Sequence, residues 1–273
     1  MADVSGDGLA DIIRTVNNGG IVTWQVWRNN GISPDVLAKV TTPQGGKISF
    51  DYKASTTLDN TGADDLSDLP FNLWLVQKMT TNNGMTTTHQ TNDITTYTYK
   101  DGFYKWQDRE FRGFKDVNTT EPNGSKKQHL FNQDDAAKGR LAEVQHRDSA
   151  SNPYAETEQT WSNTLTNGVY AVNLTSEKQY TYDGSASNPK IIQADYQYDS
   201  YGNVTKKSEL GDTSITTDDR FIYNEYTYNT TAWILNSVKH SYLNASNDST
   251  KVSENWFYYD GNIGLNDTPT KGD

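Results

Sequence analysis

Residues 97–117 read YTYKDGFYKWQDREFRGFKDV, the most aromatic run of the chain and the stretch on which its fold turns. Alternation at Tyr97 and Tyr99, followed by Asp101-Gly102, predicts a strand, a tight turn and a second strand. The second half sets Phe103, Tyr104, Trp106, Phe111 and Phe114 beside Lys105, Asp108, Arg109, Glu110, Arg112 and Lys115. On a pleated strand such charges pair across strands while the rings pack on the opposite face. Phe111 and Phe114 are therefore expected core residues, and truncating either to Ala is expected to cost roughly 3–5 kcal/mol.

A chain of 273 residues holds one large domain or two modest ones. Only 33% of it is hydrophobic, but 12% is aromatic, with 17 Tyr and 7 Trp. Rings that keep a polar end suit a sheet wetted on both faces, and their abundance argues against disorder. A net charge of -11 excludes nucleic acid as a general partner. With no cysteine there is neither a disulfide framework nor a thiolate metal site. No apolar run is long enough to insert into a membrane, and Met1 precedes an acidic loop rather than a signal peptide.

That loop, Asp3 to Asp11, spaces side-chain oxygens at Asp3, Ser5 and Asp7, followed by the Leu9 carbonyl and Asp11. A hard cation such as Ca²⁺ takes six to eight oxygens at roughly 2.3–2.6 Å, and Gly6 and Gly8 permit a tight wrap. An EF-hand needs Glu at the twelfth position, which here is Arg14, so that reading fails. The alternative is an acidic turn without metal. The shorter D-x-S-G-D-G-x-x-D form looks like the calcium loops of FG-GAP propeller blades. Ile12 to Gly31 then reads as a hairpin turning at Asn17 to Gly20. One such unit does not close a propeller, so the chain is expected to begin within a larger domain.

Further along, Leu37–Val40 and Lys47–Tyr52 read as a hairpin, and Lys53–Pro70, with Asp59, Asp64, Asp65 and Asp68, as a surface loop. Phe71–Met79 reads as an apolar strand and Thr80–Asn92 as a turn region. Strands follow at 128–131, 141–146 and 154–161. Tyr180-Thr-Tyr182-Asp183-Gly184 recurs as Tyr196-Gln-Tyr198-Asp199, as Tyr226-Thr-Tyr228-Asn229, and as Tyr258-Tyr259-Asp260-Gly261-Asn262. Tyrosine favours strands, and Asp-Gly or Gly202-Asn203 permits the positive φ of a turn. Each repeat then adds a strand and turn to its neighbour, with a non-repetitive β-sandwich as the plainer alternative.

Arg109-Glu110-Phe111-Arg112-Gly113-Phe114, shortly after a Tyr-x-Tyr strand, resembles the middle region of B components of bacterial toxin complexes. Related virulence-plasmid B-type proteins share that region, which leads into Rhs/YD-repeat shells. Asp199 to Val204 is similar to the YDxxGN repeat consensus, and the resemblance covers most of residues 35–165. It implies an all-β fold: a terminal FG-GAP-like β-propeller blade (1–35), the opening of a shell (36–165), and YD-repeat strips of a large curved antiparallel sheet (166–273). Tyr182, Asp183, Tyr198, Asp199, Gly202, Asn203, Tyr259 and Asp260 would be its repeat residues. The implied role is structural and extracellular, with the chain stopping inside the array. The shell would enclose a toxin carried by a C-terminal shell protein or segment, and the propeller would dock on a pore-forming translocation component. Shells of this kind also carry an aspartyl autoprotease; the chain has no Asp-Pro dipeptide, so that activity is not transferred to it.

Catalytic signatures are missing from the sequence. His89, His129, His146 and His240 form no H-E-x-x-H pair, and neither a G-x-S-x-G elbow nor a phosphate-binding G-x-x-x-x-G-K loop occurs. Two other classes stay open at this level: a calcium-dependent, carbohydrate- or cell-binding adhesin, and a secreted glycosidase with two facing carboxylates.

Overall fold

The computed structural model describes residues 2–31, 35–62, 66–85, 88–183, 186–261, 264 and 268–271. Asp64, Asp65, Gly184 and Asn262, named above, lie outside the described residues. The architecture is all-β. Strands β1 (Ile12–Asn18) and β2 (Ile21–Trp27) form a two-stranded sheet with Ile12 opposite Trp27. The larger sheet starts with β3 (Lys39–Thr41), β4 (Lys47–Ala54), β5 (Trp74–Asn82) and β6 (Asn92–Lys105). It continues through β7 (Glu110–Thr120), β8 (Lys126–Phe131), β9 (Leu141–Arg147) and β10 (Pro153–Thr166). Then come β11 (Val169–Thr181), β12 (Lys190–Tyr198), β13 (Val204–Asp212), β14 (Arg220–Asn229), β15 (Ile234–Asn244) and β16 (Lys251–Trp256). Its 14 strands lie in sequence order from β3 to β16, so each strand sits beside the one made just before it. Short connections favour that order, because an antiparallel neighbour needs only a tight turn.

Two compact units divide the chain: residues 1–133 with 138–140 and 146–151, and residues 134–137 and 141–145 with 152–273. No helix among the described residues is long and apolar enough to cross a membrane.

In the first unit the core lies where the 55–73 segment covers β6 and β7. The expected surface loop at Lys53–Pro70 is instead partly internal, with Ser55, Asn60 and Leu69 buried. Its backbone is tied to β6: the Asp101 N–H donates to the Asp59 carbonyl and the Tyr104 N–H to the Asp68 carbonyl. Asn60 spans the gap, donating through Nδ2 to the Ser55 carbonyl (2.8 Å) and accepting the Gly102 N–H at Oδ1 (2.9 Å). A polar sequence therefore enters the core because its polar groups are paired with a neighbouring strand's backbone. The expected Thr80–Asn92 turn region also shortens. β5 runs on to Asn82 and pairs it with Asn92 at the start of β6.

The Asp101-Gly102 turn does not exist. β6 runs through it, and the reversal comes at 106–109, where Arg109 takes a positive φ of 53°. Asp101 does have a turn-like φ of 55°, but it sits beside a break in register between Gly102 and Tyr104, an irregularity within the strand. Cover by the 55–73 segment supplies the partners that let the strand continue. A dipeptide that permits a turn does not by itself make one.

Candidate functional site

The motif at 109–114 works through one glycine. Gly102 pairs with Phe114 and Tyr104 with Phe111, so Arg112 and Gly113 together stand opposite the single residue Phe103. Gly113 has φ 81°. The extra residue puts both phenylalanines on one face although they are three apart. Their centroids lie 5.8 Å apart, edge to face; Phe114 meets Tyr99 at 5.3 Å and Phe111 meets Phe71 at 6.0 Å. Phe114 is 8% exposed, whereas Phe111 is 39% exposed and lies at the cluster's rim rather than in the core.

Arg112 takes the other face, with a side chain only 2% exposed. It donates through Nη2 to Asp108 (2.8 Å) and through Nη1 to the Gln133 carbonyl (3.0 Å), with Nε 3.5 Å from Glu110. Gln133 Nε2 closes the group by donating to the Asp101 and Gly113 carbonyls at 2.8 and 3.0 Å. The Lys138 ammonium, bonded to Glu110, holds that carboxyl below its ordinary range. Charges and rings thus separate onto two faces as the sequence implied. Arg109 itself is spent on the turn.

The acidic loop at residues 3–11 closes on its own backbone. Asp3 accepts the Gly6 and Gly8 N–H groups (2.7 Å each), and Asp7 accepts that of Leu9 (2.9 Å). The Ser5 hydroxyl stands 3.5 Å from Asp3. Asp11 has no exposed surface and accepts N–H groups from Asn29, Val4 and Ser5 at 2.9–3.0 Å. The Asn29 N–H leads the groups that lower its carboxyl, and together they outweigh desolvation by the covering loop. Backbone donors therefore compensate much of the charge a cation would otherwise meet. A Ca²⁺ ion would use the remaining lone pairs of Asp3 and Asp7, Ser5 and the Leu9 carbonyl, the oxygen-rich donor set it prefers.

The tyrosine repeats share a chemical signature the sequence did not reveal. Tyr99 in β6 donates its hydroxyl to the Val76 carbonyl of β5, and Tyr198 in β12 to the Leu174 carbonyl of β11. Tyr226 in β14 donates to the Val204 carbonyl of β13, and Tyr259 to the Val238 carbonyl of β15. Donor and acceptor are separated by 21 to 24 residues in all four, about one strand-and-turn unit. The turn residues cooperate. Asp199 accepts N–H groups from Tyr201 and Asn203, the Asn203 amide and the Tyr228 hydroxyl, while Gly202 takes φ 87°. Asp260 likewise accepts from Thr270 and Lys271. Burial would raise the Asp199 carboxyl, but bonds from Asn203, Tyr228 and Tyr201 leave it below its ordinary value. The Tyr228 phenol is correspondingly pushed up to about 12, by burial first and then by Asp199.

Tyr182 departs from this pattern and donates to Glu156 (3.0 Å), as Tyr180 does to Glu158 (2.6 Å). With Glu143 of β9, these two carboxylates form a group whose oxygens lie within 4.8 Å of one another. Burial, then the bond to Glu156, raises the Tyr182 phenol to about 12. Glu at alternate positions of one strand, opposite alternate tyrosines of the next, was the sequence signal that could have found this cluster.

Together these features define an all-β protein whose polar and aromatic side chains tie each strand to the one before it. The chain belongs to the family described as the insecticide toxin TcdB middle/N-terminal region, which matches residues 1–142. Its fold is similar to that of the Photorhabdus luminescens Tc holotoxin pore carrying a TccC3 mutation, with a TM-score of 0.75 at 16% identity. That match covers 100% of this chain and 19% of the other. TcdB2-TccC3 gives a TM-score of 0.73 at 16% identity over 99% of this chain and 19% of that one. TcdB2-TccC3 without its hypervariable C-terminal region gives 0.69 at 16% identity over 91% and 17%. The chain therefore spans less than a fifth of the solved chains it matches. No curated protein matches it.

Proposed function

We propose that this chain is wall material of a secreted bacterial toxin complex, a structural part of its B component. The observation that carries the reading is the unbroken order from β3 to β16, in which strands accumulate side by side. In this reading residues 36–165 open a shell and residues 166–273 supply YD/Rhs-type strips that extend it. The enclosed cargo is a toxin segment borne by a TccC-type partner. The β1–β2 hairpin and its acidic loop are the end of an FG-GAP-like propeller blade, with Ca²⁺ at the loop, facing a pore-forming translocation component. The exposed apolar surface of that hairpin, Trp24 at 71% and Ile21 at 69%, supports a role in contact with further protein.

The test is protease protection. Co-expression of the full B-type protein with a TccC-type chain should leave the partner's terminal segment resistant to protease, and digestion at an unchanged rate would reject encapsulation. For the loop, calcium titration followed by calorimetry should give binding that Asp7→Asn weakens, and equal heats for both proteins would reject the ion.

A further inference from the structure

The last three strands of the sheet meet at a histidine that the proposed function does not use. Glu225 on β14, His240 on β15 and Trp256 on β16 lie in one cross-strand row. His240 is 5% exposed and stacks on Trp256, with ring centroids 3.6 Å apart and planes 6° from parallel. Its Nε2 lies 3.0 Å from Glu254 of β16, and its Nδ1 lies 3.6 Å from Glu225 with no hydrogen-bond partner.

A neutral imidazole has one N–H and one lone pair, whereas ionised carboxylates only accept. Whichever tautomer is present, the neutral ring aims a lone pair at one of the two carboxylates. Only the imidazolium offers an N–H to both, and it also presents a cation to the Trp256 face. The surrounding charges are few. Lys239 on β15 stands 3.7 Å from Glu225, and Lys251 on β16 stands 2.7 Å from Glu254. Tyr242 lies 5.0 Å from the ring, and burial, followed by the charge of Glu225, raises its phenol. Beyond it, Tyr223 stacks on Tyr242 and takes up the Lys206–Asp248 pair.

We infer that His240 is a pH-operated pin: protonated, it ties β14, β15 and β16 together, and loss of the proton loosens β16. Histidine changes charge between about pH 5 and 8, so the device works in a physiological range. The sign follows from the charged partners. Whatever stability the doubly donating ring adds is present on the acid side and is lost as pH rises. β16 is the outermost strand in the order among the described residues, so its release would disrupt pairing on one side only.

Hydrogen exchange of residues 251–256 in the full protein, at about pH 5.5 and about pH 8 and corrected for intrinsic rates, tests the inference. Wild-type protection should be several-fold greater at the acid pH. His240→Gln, which keeps a single donor group, should abolish that difference. Glu225→Gln, changed at the more exposed partner, should reduce it while the ring stays in place. Equal wild-type protection at both pH values would overturn the pin, as would an undiminished response in Glu225→Gln. The second variant decides the matter even if the first does not fold.

Discussion

Phe114→Ala should be the most damaging single truncation in the 109–114 motif. Phe114 is 8% exposed and packs against Tyr99 and Phe111. Its ring also closes over Gly102, where an added Cβ would stand 2.7 Å from Cε1. Removing it loses nearly a full aromatic transfer term and leaves a void beside the buried Asn60–Gly102 hydrogen bond, for about 3–4 kcal/mol. Phe111 has the same chemistry but is 39% exposed, so its truncation should cost only about 1–2 kcal/mol. That revises the equal, larger cost expected from the sequence. Urea unfolding of the two variants, followed by tryptophan fluorescence, measures both values. Phe114→Ala within about 1 kcal/mol of wild type, or Phe111→Ala as costly as Phe114→Ala, would refute the assignment of the core.

Gly113→Ala should cost about 1–2 kcal/mol through the backbone alone, because φ is 81° and a Cβ there meets nothing within 4 Å. Gly102→Ala has no such φ but strikes Phe114 and Asn60, so only its cost should shrink when Phe114 is truncated first; a double-mutant cycle in urea reports it. The lowered Asp199 carboxyl contributes stability that is present above its unfolded value of about 3.9 and lost as pH falls through the lower folded value. Asp199→Asn should therefore be less stable than wild type at neutral pH and converge on it in acid; a gap constant from about pH 7 to about pH 2 would contradict the assigned bonds.

Much of the strand content was legible because period-two alternation survives wherever one face of a strand is half-buried. The β1–β2 hairpin shows it, with Asn17 to Gly20 at its turn. Two features were not legible, both for long-range reasons. Asp101-Gly102 carries the local signature of a turn, and what cancels it is Asn60, 42 residues away, accepting the Gly102 N–H. The polar stretch around Asp59 likewise looked exposed because its partners are backbone groups of β6, which no local pattern records. At the acidic loop the spacing of oxygens was correct, but spacing does not reveal that backbone N–H groups already occupy them. The His240 row was beyond reach for the same reason: its three members come from three strands.

The chain's low apolar content poses a physical question that the tyrosines answer. Among the described residues the buried apolar side chains are only Leu9, Ala54, Leu69, Phe114 and Ala137, too few to hold so many strands by burial alone. A tyrosine hydroxyl on the preceding strand's carbonyl supplies a cross-strand tie that needs no deep core, since its ring covers the strand while its oxygen is satisfied. Tyr198→Phe and Tyr226→Phe keep the ring and delete one such tie each, so each should cost about 0.5–1.5 kcal/mol. They share no partner, so the double variant should show close to the sum. Tyr97→Phe is the control, because that hydroxyl has no such carbonyl among the described residues and its removal should be nearly neutral. If Tyr97→Phe costs as much as the other two, the rings rather than the hydroxyl ties hold the strands together, and the repeat's meaning changes from a stitch to a spacer.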